Sequence, residues 1–219
     1  TDDAHSRARV AEIDTTGIAA AIDAGEVAVV PGFQGVTRAG RITTLGRGGS
    51  DTSAVALAAA LKAERCDIYT DVDGVYTTDP RIVAKARRLE KISYEEMLEM
   101  ASLGAKVLQT RSVELAFAQR VPVRVLSSFV EPGADNPGTL VCSEEEIVEK
   151  QVVSGVAYSR DEAKVTLLGV EDHPGIAAEI FARLAEANIN VDMIVQAEAR
   201  QPGRQNMVFT CPDRDAARA

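Results

Sequence analysis

The sequence predicts an α/β protein in two parts, a parallel β/α region followed by a smaller ferredoxin-like unit. Three observations carry that expectation. A strand, helix, strand order runs through segments 27–33, 50–64 and 66–70; a glycine-rich turn leads without a break into the Ala-rich helix of LGRGGSDTSAVALAAAL (45–61); and from Val152 the pattern changes to alternating strands around one helix. With 219 residues the chain has room for one medium domain and a small one.

VAVVPGF (27–33) reads as a buried strand because its apolar run is almost unbroken, and 40–44 as part of a hairpin or loop leading to the glycine turn. Residues 50–64 form a helix and CDIYT (66–70) the next strand, an order that favours a parallel pair with a right-handed crossover. Ser93, with Glu96 three residues on, makes a capping box and opens a helix over 93–101. Gly104 interrupts before a longer helix over 105–119. Pro122 begins the strand VPVRVLSSF, and 138–143 supplies another after a Pro- and Gly-rich loop.

The acidic run EEEIVEK (144–150) reads as a solvated linker or helical turn. The expected domains are therefore 1–143 and 152–219, joined by a linker at 144–151. In the second, strands at 153–158 and 163–170 precede a helix over 174–187, with further strands near 191–197 and at 206–211. The β, α, β, β order, with a helix beginning at the end, fits the ferredoxin-like plan.

The turn before the first long helix has the makings of an anion site. Gly46, Gly48 and Gly49 let the backbone approach a ligand closely, and Ser50, Asp51 and Thr52 are good N-cap residues. First-turn amides and the positive end of the helix dipole favour a phosphate or carboxylate, and Arg47 adds charge and a planar fork. The spacing is neither GxxxxGK[ST] nor GxGxxG, so neither the P-loop nor the dinucleotide fingerprint applies. Such a turn also occurs as plain loop geometry.

CDIYTDVDGVYTTDPR (66–81) places Thr70 and Asp71 at the carboxyl end of a strand, where open α/β sheets bind their ligands. Hydroxyls, carboxylates and Arg81 in one loop suit a nucleotide with its metal, although Asp and Thr are also ordinary turn formers. Lys106 falls in the first turn of its expected helix, where a cation opposes the dipole; that mismatch suggests a ligand. The DHPG turn (172–175) puts Pro174 at the first helical position, with free amides able to take an amino-acid carboxylate. His173, a lone His beside Pro, reads as exposed polar surface.

Composition narrows the function classes. A net charge of -9 argues against nucleic acid as a partner. Aromatic residues are 4% of the chain and Trp is absent, which implies an aliphatic core. No apolar run approaches the roughly 20 residues of a membrane span, and the polar start points to a cytoplasmic protein with no membrane partner. Cys66, Cys142 and Cys211 are odd in number and lack CxxC or Cys/His spacing, so no disulfide framework or zinc site is expected; Cys66 and Cys142 read as core residues. No protein-held metal site is expected.

Five segments together resemble aspartate kinases of the amino-acid kinase superfamily: VPGFQGV (30–36), TTLGRGGSDT (43–52), IYTDVDGVYTTDPR (68–81), GAKVLQTRSVELA (104–116) and, like the family's first ACT regulatory module, VEDHPGIAAEIFARLAEANINVDMIVQ (170–196). The resemblance implies the C-terminal part of a carbamate-kinase-like αβα sandwich followed by a βαββαβ ACT domain. It covers nearly the whole chain, weakening at 131–137 and 197–204. Aspartate kinases also carry a KFGGTS-type strand whose lysine contacts the transferred phosphoryl group. No such segment occurs here, and 1–18 matches the middle of the family's kinase domain, while the chain stops where the first ACT module would begin its second helix. The expectation is a fragment, or an enzyme whose remaining parts lie on another chain.

By resemblance, Arg47 and Ser50 hold L-aspartate, Gly48 and Gly49 allow close backbone approach, and Asp51 organises the turn. Thr70, Asp71, Tyr76, Arg81, Lys106 and Val107 line ATP, which brings Mg2+. Asp172, Ala177, Asn190, Val191, Asp192 and Gln196 contact an effector, lysine or threonine in this family, and ACT pairing implies a homo-oligomer. The implied reaction makes 4-phospho-L-aspartate, the first step toward lysine, threonine and methionine. The alternatives are a non-catalytic amino-acid-sensing subunit and another amino-acid kinase, such as a glutamate-type enzyme.

Overall fold

In the computed structural model residues 1–131, 134–147 and 153–219 are described, and the chain divides into two compact units, Thr1–Tyr158 and Ser159–Ala219. Part of the Pro- and Gly-rich loop, the end of the expected linker and Val152, the expected first residue of the second domain, lie outside the described residues.

The first unit opens with helix α1 (Thr16–Asp23) and a hairpin of β1 (Gln34–Val36) and β2 (Ile42–Thr44), whose turn is closed by the Gly40 amide donating to the Thr37 carbonyl at 2.9 Å. The expected strand at 27–33 does not form. Its backbone finds no ladder among the described residues, and Val27 and Val29 are 89% and 91% exposed. An apolar run becomes a strand only where a neighbour takes its amides and carbonyls, so parallel pairing passes elsewhere.

That pairing joins β3 (Cys66–Thr70), the strand expected at those residues, to a later one. After the Ala-rich helix α2 (Gly49–Ala60) and β3 come β4 (Lys91–Ser93), α3 (Tyr94–Ser102), α4 (Thr110–Gln119), β5 (Val123–Ser127) and β6 (Thr139–Cys142). The sheet order is β3-β5-β6-β4. β3 runs parallel to β5, in register from Cys66 with Val123 to Thr70 with Ser127, while β6 is antiparallel to β5 and parallel to β4. Val55 and Ala58 of α2, Met97 and Met100 of α3, and Val113 and Ala116 of α4 pack on Val123, Val125 and Val141 of this sheet. Small residues on α2 let the helix lie close, and Cys66 and Cys142 are buried, as their apolar surroundings imply.

The capping box at α3 is present. The Ser93 hydroxyl accepts from the Glu96 amide at 3.2 Å, and the Glu96 carboxylate accepts from the Ser93 amide at 3.1 Å. Helix α4, however, begins at Thr110 rather than at 105. Gly104 has a φ of 113°, residues 105–108 turn, and Gln109 is extended, so the helix cannot propagate before it.

The second unit follows the β, α, β, β order: β7 (Glu162–Glu171), α5 (Ile176–Glu186), β8 (Ile194–Glu198) and β9 (Arg204–Pro212). The sheet runs β7-β9-β8, antiparallel throughout, over a core of Leu184, Ile189, Phe209 and Cys211, with Phe181 edge-on to Phe209 at 5.7 Å. The expected strand at 153–158 is absent; that segment is irregular and belongs to the first unit. Pro174 precedes the cap instead of opening the helix. Gly175, at φ 98°, is the N-cap, a left-handed conformation that delays the first helical residue to Ile176. Among the described residues no helix is long and apolar enough to cross a membrane.

Candidate functional site

At the start of α2 the N-cap is Gly48, at φ 70°, and not one of the hydroxyl residues that follow. Thr52 and Ser53 instead donate back to the Gly48 and Gly49 carbonyls at 3.2 and 2.8 Å. A side chain at position 48 would overlap Gln109, so glycine is required there for space as well as for conformation. The Gly49 amide is used by the Gly46 carbonyl at 2.9 Å. Those of Ser50 and Asp51 make no hydrogen bond among the described residues, and Arg47 and Ser50 are exposed beside them. This is the anion-binding geometry expected of a helix N-terminus.

Asp51 links this turn to α4. Burial pushes its carboxyl up, against hydrogen bonds from the Ser50 side chain and the Gln109 backbone amide that favour the charged form. Arg111 adds a second tie, donating to the Leu45 carbonyl at 3.0 Å and to the Ala8 carbonyl at 2.7 Å. Because α4 starts late, Lys106 is exposed in the preceding turn, and Arg111 is the cation in the first helical turn. The dipole mismatch read from sequence thus belongs to Arg111, and two backbone carbonyls resolve it. Arg111 was missed because its recognition depended on knowing where α4 begins.

The loop after β3 gathers the second group. The Thr70 hydroxyl donates to Asp71 at 3.1 Å, and the Tyr76 phenol donates to Asp73 at 3.2 Å. Burial and then the Asp73 bond push the Tyr76 hydroxyl up. Arg81 and Asp79 pair at 2.8 Å; the guanidinium bonds, with the Arg81 amide, hold the Asp79 carboxyl down to about 2. The same pairing raises Arg81, with lesser contributions from Tyr158 and Asp71. Buried Thr139 anchors the loop to the sheet, accepting from the Val75 amide at 2.9 Å and donating to the Leu89 carbonyl at 2.6 Å. Val107 packs against the core next to exposed Lys106.

In the second unit Asp172 and Ala177 flank the start of α5, whereas Asn190, Val191 and Asp192 follow its end. The helical residues 178–186 lie between Ala177 and the second group, about 14 Å at the usual rise. Gln196 lies partway along β8, paired with Met207. One copy therefore does not gather the six residues around one small ligand.

Among the described residues no three His, Cys, Asp or Glu side chains converge on a metal position. An apolar groove of about 480 Å³ lined by Ile18, Ile22, Val27, Val30, Leu57 and Leu61 contains none of the expected site residues.

The mixed sheet of the first unit thus carries a glycine turn at a helix N-terminus and a hydroxyl-, carboxylate- and arginine-rich loop at a strand end. The amino acid kinase family matches residues 1–127 and the ACT domain residues 164–219. The chain belongs to the amino acid kinase family and carries an ACT domain.

It is 62% identical over 198 residues to the aspartokinase of Pseudomonas aeruginosa, covering 90% of this chain and 47% of that protein. With the aspartokinase of Corynebacterium glutamicum it is 52% identical over 223 residues, covering 100% of this chain and 52% of the relative. Among solved structures, E. coli aspartokinase III in complex with aspartate and ADP (R-state) aligns at a TM-score of 0.66 and 38% identity, over 97% of this chain and 46% of that one. The lysine and aspartate complex (T-state) of the same enzyme aligns at 0.63 and 42% identity, over 82% of this chain and 38% of that one. The chain spans about half the length of the curated relatives it matches.

Proposed function

We propose that the chain is part of an aspartate kinase, supplying the aspartate-binding turn and the nucleotide loop of the catalytic domain together with a regulatory ACT domain. The observation that carries this reading is the turn at Gly46–Gly49, where exposed Arg47 and Ser50 stand beside unpaired amides on a helix that Asp51 locks in place. The similarity to aspartokinases over 90% or more of the chain supports L-aspartate as the substrate.

In the proposed reaction a β-carboxylate oxygen of L-aspartate attacks the γ-phosphorus of ATP, and the bond to the bridging oxygen breaks to release ADP and 4-phospho-L-aspartate. Such transfer depends on positioning and charge neutralisation. Arg47 and Ser50 hold the amino acid, Gly48 and Gly49 let the backbone approach it, and Asp51 keeps the turn in register. Thr70, Asp71, Tyr76, Arg81, Lys106 and Val107 hold the nucleotide. Mg2+ is bound in such sites through one or two carboxylates and the phosphates, and exposed Asp71 beside the Thr70 hydroxyl fits that role. When bound, the ion neutralises phosphate charge.

The separation of Asp172 and Ala177 from Asn190, Val191 and Asp192 supports an effector site shared between copies. All five residues of edge strand β8 are exposed, which suits pairing of ACT domains in a homo-oligomer. Lysine or threonine is the proposed effector, acting by preferring one of two conformations, and the proposed compartment is the cytoplasm.

ADP release by the chain with Mg-ATP, measured with aspartate and with glutamate, tests the reading. Release with aspartate alone establishes the activity; release with glutamate overturns the substrate assignment; and lysine or threonine binding without nucleotide binding identifies a sensing piece.

A further inference from the structure

The segment 153–158 is neither a strand nor a free linker. The Ser154 hydroxyl donates to the Glu96 carboxylate, the same group that caps α3. The Val156 amide donates to the Thr77 carbonyl at 2.8 Å. Between them Gly155 lies so close that an added Cβ would stand 2.9 Å from Met100 Sδ and 3.2 Å from the Thr77 carbonyl oxygen. At its end the Tyr158 side chain lies near Asp79 and adds the smallest of the contributions that hold its carboxyl down.

Val156 and Tyr158 reach one loop, while Ser154 ties the segment to α3 beside it. Thr77 and Asp79 belong to the loop 71–81, and Asp79 is the carboxylate that fixes Arg81 through Nε and Nη2 at 3.0 and 2.8 Å. Arg81 is otherwise a solvent-facing side chain, 88% exposed against 18% for Asp79. A long cation at such exposure samples many rotamers, and its orientation costs entropy unless its partner is held. Beyond the Thr139 anchor at Val75, the bonds at Thr77 and Asp79 are short-range: the Thr77 amide donates to the Arg87 carbonyl at 2.9 Å, and the Ile82 and Val83 amides both return to the Asp79 carbonyl at 3.0 Å.

We propose that residues 153–158 act as a strap in which Ser154, Val156 and Tyr158 are positioning residues, holding Thr77 and Asp79 so that Arg81 meets the nucleotide phosphates. The inference rests on the nucleotide reading of the loop. It adds that the site extends to chain beyond the last catalytic-domain strand, through residues that touch no substrate. The strap continues covalently at Ser159 into the second unit.

Two strap variants of the 219-residue chain separate positioning from general stability. Val156→Pro deletes the amide donor on Thr77 while changing a side chain that is 62% exposed. The double variant Ser154→Ala with Tyr158→Phe removes the two side-chain contacts, and Ser154→Thr with Tyr158 intact restores the hydroxyl. Hydrogen exchange is read at Thr77, Arg81, Ile82 and Val83, and Mg-ADP and aspartate affinities by calorimetry. Exchange at those amides is expected to quicken about tenfold and Mg-ADP binding to weaken about fivefold, with aspartate affinity and the exchange of β3 and β5 unchanged and the Ser154→Thr chain like the parent.

Unchanged loop exchange in both variants overturns the strap. Quickened loop exchange with unchanged Mg-ADP affinity overturns its positioning role, as does an equal loss of aspartate affinity. If the parent chain binds no Mg-ADP, the nucleotide reading of the loop fails and the positioning role fails with it, while loop exchange still decides whether the strap holds the loop.

Discussion

Arg111 donates to the Leu45 carbonyl at 3.0 Å, across 66 residues of sequence, and so fastens the start of α4 to the glycine turn before α2. Its second bond, to Ala8 at 2.7 Å, brings the first residues of the chain to the same place. The turn's shape is set by α4 as much as by its own glycines.

Replacing Arg111 with Ala removes two charge-assisted hydrogen bonds, and we expect a loss of about 2–3 kcal/mol in urea unfolding. Aspartate affinity should fall with it, since the turn loses its brace. Arg111→Lys keeps the charge but not the fork, and should recover less than half of the loss.

The raised carboxyl of Asp51 gives a pH-dependent effect of definite sign. Its folded pKa lies above the ordinary value of 3.8 because burial penalises the charge, so its ionisation costs the folded state. The stability it contributes is complete below the unfolded value and is lost as pH rises through the folded one. Asp51→Asn keeps an acceptor for Gln109 without the charge. The Tm of this variant relative to the parent should therefore rise between pH 4 and pH 7; a difference that is flat or falls would assign the Gln109 bond the larger weight.

Asp71→Ala removes an exposed carboxylate whose hydrogen bond comes from neighbouring Thr70. Stability should change by under about 0.5 kcal/mol, as for most surface substitutions. Mg-ADP affinity should fall at least tenfold. An unaltered affinity removes the end of β3 from the nucleotide site.

Gly175→Val meets no steric neighbour within 4 Å, but its φ of 98° is one a β-branched residue resists. The strain, of order 1–3 kcal/mol, falls on the turn between β7 and α5. Calorimetry should show lysine or threonine binding lost or weakened severalfold, whereas binding at the parent's affinity would remove the DHPG turn from the effector site.

Local chemistry was enough to locate much of this protein. The glycine turn, the Ser93 and Glu96 capping box, the strand Cys66–Thr70 and the β, α, β, β order of the second unit each follow from residues a few positions apart, whose preferred conformations agree with what surrounds them. The candidate residues Arg47 to Asp51 and Thr70 to Arg81 stand out for the same reason, being contiguous in sequence.

Tertiary structure decided what depends on distant partners. VAVVPGF has the composition of a buried strand, yet Val27 and Val29 are exposed because no neighbouring strand takes their backbone groups among the described residues. The beginning of α4 moved to Thr110, exchanging Lys106 for Arg111 as the cation in its first turn, and the carbonyls that satisfy Arg111 come from residues 66 and 103 positions away. The alternation in 153–158 suggested a ladder, but its amide at Val156 found Thr77 instead. A sequence specifies which backbone and side-chain groups need partners; where those partners are far along the chain, only the folded arrangement determines which of them are within reach.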